Sequence, residues 1–150
     1  MTIVYESSAA AELASHLATI VDEAQQKARA ESLRLKGDFA AHGAARSFRL
    51  IVAVAGAVDA IHKEAVAKSM PVVLDFAKRM QIDTQQITLL AGPHLESLAK
   101  ALLAEIPAAG HGADQLRFRT QYAQVFELRL DRAFRNIEAG LMGPGPQTQT

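Results

Sequence analysis

The sequence predicts an all-α protein, an Ala-rich bundle of about four to six helices with a long first helix and a heptad-bearing C-terminal helix. Three observations predict it. Alanine, the strongest helix former, occupies 29 of 150 positions. Gly and Pro are few and fall between periodic segments, where they act as punctuation. The short alternating stretches, Thr2 to Tyr5 and Leu116 to Phe118, are too brief or too deep in helical context to be strands.

The first helix is expected to start at Ser7 or Ser8, whose hydroxyls suit a simple N-cap, and to run to about Lys36. Leu13, Leu17, Ile20, Ala24 and Ala28 share one face, and Gly37 is placed to end or bend the helix. A second helix is expected over Ala44 to Lys68. Its centre, LIVAVAGAVDAI, is apolar on nearly every side, the pattern of a centrally buried helix. Within it Ala53, Gly56, Ala57 and Ala60 form a small-residue face that permits close approach of another helix. Pro71 predicts a kink or restart capped by Ser69, with a third segment over Val72 to Gln81.

Asp83 or Thr84 is expected to cap a short fourth helix ending at Gly92, and Pro93 to open a fifth that reaches Ile106. The last helix is expected over Asp114 to Leu141. Leu116, Ala123, Leu130 and Ile137 recur every seven residues; Phe126, Ala133 and Gly140 fill the second seam position, with Arg119 the exception. The reading is one helical domain over residues 1–141, followed by a disordered tail, residues 142–150 (MGPGPQTQT).

Composition excludes several kinds of chemistry. With no Cys there are no disulfides, thiolate zinc sites or Cys nucleophiles. Sixteen basic and sixteen acidic side chains give no net field to draw in nucleic acid or anionic lipid. The N-terminal residues carry no basic start for a secretory signal, and the apolar run from Leu50 to Val58 is too short to span a bilayer. The expectation is a soluble cytoplasmic protein.

Site motifs are sparse. Glu12 with His16, and Asp59 with His62, have spacings that let two ligands reach one ion, but a di-iron bundle needs two carboxylate-x-x-His motifs and further inward carboxylates. Simpler partners are available: Glu12 for His16, and Lys63 or His62 for Asp59. No nucleophile elbow, paired inward carboxylates or phosphate-binding Gly-rich turn occurs, so no metal, cofactor or catalytic residue is expected.

Two segments suggest partners. Val73 to Leu90 resembles a helix-turn-helix, with Ala77 at the helix crossing and Met80, Ile82, Ile87 and Leu90 inward. Thr84, Gln85, Gln86 and Thr88 would then face the major groove. Against this, Gln81 stands where a turn Gly is usual, and the second helix has no Lys or Arg before Gly92. The last helix carries Arg117, Arg119, Tyr122, Arg129 and Arg132, residue types enriched in protein interfaces, on a face that is either solvated or an interaction surface. Charge is also uneven: residues 1–23 hold four acidic and no basic side chains, and residues 27–49 hold six basic against two acidic. That polarity suits the helix dipole and an antiparallel second copy alike.

The expected function is therefore a non-enzymatic adaptor or structural protein that acts through protein–protein contacts, including self-association. The alternatives are a small DNA-binding regulator using residues 73–90, and a helical enzyme or small-ligand binder.

Overall fold

The apolar stripes fold into four helices that are more continuous than the sequence punctuation predicts. A computed structural model describes residues 2–44, 47–107 and 112–141. It contains α1 (Thr2–Ala41), α2 (Phe48–Met80), α3 (Thr84–Leu103) and α4 (Gly112–Leu141), and no strand among the described residues. The expected disordered tail lies outside the described residues. Among the described residues no helix is long and apolar enough to cross a membrane.

The chain runs up, down, up, down. One core layer joins Leu13 and Leu17 of α1, Val73, Phe76 and Ala77 of α2, Ile87, Ala91 and Leu95 of α3, and Phe134 and Ile137 of α4. The next joins Ala24 and Ala28 with Leu50, Val54 and Val58, Leu98 and Leu102, and Phe126. Early α1 residues thus meet late α2, early α3 and late α4 residues, so successive helices are antiparallel. Both α1 and α4 pack on α2 and on α3, whereas among the described residues no close backbone contact joins α1 to α4. They occupy opposite corners of the bundle.

The helix boundaries correct the sequence expectation in five places. The first helix begins at Thr2, before Ser7 and Ser8, and runs through Gly37 to Ala41. It stops at Gly43, whose φ of 72° places it in the left-handed region. Gly43 N–H donates to Ala40 O at 3.0 Å and Ala44 N–H to Phe39 O at 2.7 Å, a Schellman motif. The second helix starts at Phe48 with Ser47 as its N-cap, and crosses Pro71 without a break. The third crosses Gly92 and Pro93. Four helices result because neither proline restarts one.

The reason lies in where each proline sits. A helical proline orphans the carbonyl four residues earlier, at a cost of about 3 kcal/mol when that group has no partner. Pro71 and Pro93 are exposed, as are Ala67 and Leu89, so water reaches the orphaned carbonyls. The flanking residues Ser69, Val73, Ala91 and Leu95 are buried and hold both halves of each helix on the core. Ser69 caps nothing; its hydroxyl donates to Ala65 O at 2.8 Å inside the helix.

The α2–α3 turn uses a second Schellman motif, with Gln81 at φ 55° and the Ile82 N–H donating to Ala77 O at 3.1 Å. Asp83 then caps α3. Its carboxylate accepts from Gln86 N–H at 2.8 Å, and Asp83 N–H donates to Gln86 Oε1 at 3.2 Å, completing a capping box.

Two stability changes follow. Pro71→Ala restores a helical hydrogen bond at an exposed position and is expected to raise unfolding free energy by about 1–3 kcal/mol. Gln81→Gly relieves a left-handed non-Gly residue and is expected to add about 1 kcal/mol. Urea unfolding followed by far-UV circular dichroism checks both, and a lower midpoint for either variant contradicts the account given for it.

Candidate functional site

The polar side chains that enter the bundle concentrate where α4 crosses α2. Arg129 leaves the surface of α4 and donates from Nη2 to Asp59 Oδ1 at 2.8 Å and from Nη1 to His62 Nδ1 at 2.9 Å. Nη1 also lies 3.4 Å from the Asp59 carbonyl. An arginine only donates, so Nδ1 of His62 accepts and the imidazole carries its proton on Nε2. The His62 ring is 1% exposed and stacks on Phe126 with centroids 4.0 Å apart and planes 8° from parallel.

Burial holds the imidazole in its neutral form, and the Arg129 charge adds to this while Asp59 opposes it; the pKa falls from 6.5 to about 4. Asp59 pairs across helices with Arg129 and forms no ion pair with Lys63 or His62, which corrects the expected local partner. Glu12 and His16 both border a groove between α1 and α2, but they do not pair. Among the described residues no group of three His, Cys, Asp or Glu side chains is placed to hold a metal ion.

The five residues proposed as an interaction face divide by environment. Arg129 is occupied as described. Arg119 donates from Nη2 to Ala104 O at 3.2 Å and Ile106 O at 3.1 Å, closing the C-terminal end of α3, and its Nε is buried without a partner. Gln115 adds a bond to Ile106 O at 3.0 Å. Tyr122 is half-buried between Phe118 and Phe126. Arg117 is exposed and pairs with Asp114, and Arg132 is exposed. Leu116, the first heptad position, is 66% exposed, whereas Phe126, Ala133 and Ile137 are buried.

The groups placed in the major groove by the helix-turn-helix reading are partly in local use. Gln86 belongs to the capping box, and the Thr88 hydroxyl donates to Thr84 O at 2.7 Å. Thr84 is half-buried and Gln85 is exposed. Ala77 and Ile87 are buried, Met80 and Ile82 pack against the same core, and Leu90 is exposed. Gln81 does take up the left-handed turn conformation that a glycine there would adopt.

Sequence reasoning missed one feature, the solvent-facing side of α2. Phe48 and Val52 are 49% and 46% exposed, Gly56 and Ala60 are exposed, and Ala53 and Ala57 are half-buried. A Cβ added at Gly56 would meet nothing within 4 Å. The small-residue stripe was legible; the fact that the monomer leaves it uncovered was not, because full apolarity reads as full burial. No family model matches the chain, and no curated protein or solved structure is detectably similar to it.

Arg129→Met removes two charge-assisted bonds and leaves Asp59 without its partner, so unfolding free energy is expected to fall by about 2–3 kcal/mol; Asp59→Asn in the same chain should recover part of the loss. A double-mutant cycle by urea unfolding checks this. His62 binds its proton more weakly when folded than when unfolded. Its contribution is therefore complete above pH 6.5 and is lost as pH falls from 6.5 towards 4, on the order of 2–3 kcal/mol. Urea midpoints across that window should decline, and His62→Asn should flatten the decline.

Proposed function

We propose that the protein is a non-enzymatic helical bundle that works in the cytoplasm through protein–protein contacts, and that it pairs with a second copy of itself through the solvent-facing side of α2. The observation that supports this reading is the uncovered stripe of Phe48, Val52, Gly56 and Ala60. Residues 50–58 carry no charge, and Asp59 is drawn inward by Arg129. Water therefore meets an uncharged helical surface about 20 Å long between Arg49 and Lys63.

A second copy suits this surface better than an unrelated partner. Small side chains let two helix axes come within about 8 Å, and the bare Gly56 removes the last obstacle on that line. In an antiparallel pair centred between Gly56 and Ala57, Arg49 of each copy falls opposite Glu64 of the other. The strip is narrow compared with the roughly 800 Å² per partner of a standard interface, so the pairing is expected to be weak, with Kd of about 10–100 µM.

Sedimentation velocity over a hundredfold range of concentration tests the reading. A concentration-dependent shift from monomer to dimer is expected, and Gly56→Arg, which has room to fold, should abolish it. A strictly monomeric wild-type protein, or an unaffected Gly56→Arg variant, overturns the proposal.

A further inference from the structure

The first helix buries Leu13, Leu17, Ala24 and Ala28 on one side. On the opposite side Asp22, Gln26, Arg29 and Leu33 follow at spacings of four, three and four residues, so they lie along one line of the helix. All four are exposed, Leu33 by 62%, and this line of α1 faces water. Charge runs along α1 in two blocks. Glu12, Asp22 and Glu23 are exposed in its first half; in the second, Arg29 is exposed and Lys36 half-buried. None of these five forms an ion pair among the described residues. Lys27 and Arg34, by contrast, are engaged with Glu64 and with Glu31 and Asp38. The Asp22 carboxylate accepts only from the Gln26 side chain, at 2.9 Å.

One register satisfies the charges and the exposed leucine together. In an antiparallel pair of α1 helices centred between Gln25 and Gln26, Asp22 of each copy falls opposite Arg29 of the other. The same twofold axis sets each Leu33 over Ala18 of the other copy, where a methyl side chain leaves room for it. A peptide of one sign would match one block and oppose the other. A second copy matches both, because the twofold reverses their order. We propose that two copies of the chain meet along this outer line of α1, antiparallel, with the Asp22–Arg29 pair formed twice across the axis. This face is distinct from the one on α2, and the contact does not rest on the α2 pairing. Water screens exposed ion pairs, so the contact is weak at ordinary salt, with Kd of about 1 mM at 0.15 M, where the Debye length is about 8 Å. At 0.02 M salt that length is about 20 Å, and Kd is expected to fall about tenfold.

Sedimentation velocity at 0.02 M salt tests this on the full chain carrying Gly56→Arg, which removes the α2 contact. Three chains are compared over a hundredfold range of concentration. The Gly56→Arg chain should associate, and raising the salt to 0.3 M should return it to monomer. Adding Arg29→Asp sets like charges opposite each other at both ends of the register and should abolish the association. Adding Asp22→Arg to that variant exchanges the two charges and should restore it. Both positions are exposed, and far-UV circular dichroism confirms that the helices are retained. No association of the Gly56→Arg chain at 0.02 M salt overturns the proposal. So does association that Arg29→Asp leaves unchanged, or a charge exchange that fails to restore it.

Discussion

The bundle depends on one constraint: α1 and α4 stand at opposite corners, and among the described residues no close backbone contact joins them. Among the described residues, the backbone contacts of both helices run to α2 and α3. A helix in that position must offer apolar surface in more than one direction, and α2 does so with Leu50, Ile51, Val54, Ala55, Val58 and Ile61, all buried. Its composition follows from its place. At one level α1 meets α2 with the alanines Ala24 and Ala28, and small side chains there keep the α1–α2 packing close.

Given that constraint, the Asp59–Arg129–His62 junction fixes which part of α4 meets which part of α2. Hydrophobic contacts between Ala-rich helices tolerate sliding, because one methyl group resembles the next. A guanidinium bonded at once to a carboxylate and an imidazole does not. Phe126 stacked on His62 and Gly140 against Leu74 add shape to the same alignment: a Cβ at Gly140 would come within 3.3 Å of the Leu74 side chain. The exposed pairs, Lys27 with Glu64 and Arg34 with Asp38, contribute much less, since water screens them.

The all-helical class and most buried faces were legible in the sequence because they depend on local periodicity. Leu13, Leu17, Ala24 and Ala28 were expected on one shared face and are buried. What was not legible depends on neighbours distant in the chain. Whether Pro71 and Pro93 break a helix is decided by which side of the helix meets water, and that requires the packed bundle. The partner of Asp59 lies seventy residues away. Arg119 disturbs the heptad pattern, and the structure supplies the reason: its guanidinium is needed at the end of α3.

That last arrangement has a dynamic consequence. Most helices close their own ends with local groups, as α1 does with Gly43 and the start of α3 does with Asp83. Just beyond α3, the carbonyls of Ala104 and Ile106 are instead taken by Arg119 and Gln115 of α4. Fraying at one of these ends exposes unpaired groups at the other, so the tail of α3, the buried Ile106 and the first turns of α4 behave as a single opening unit. The junction between the end of α3 and the start of α4 is thereby a cooperative element.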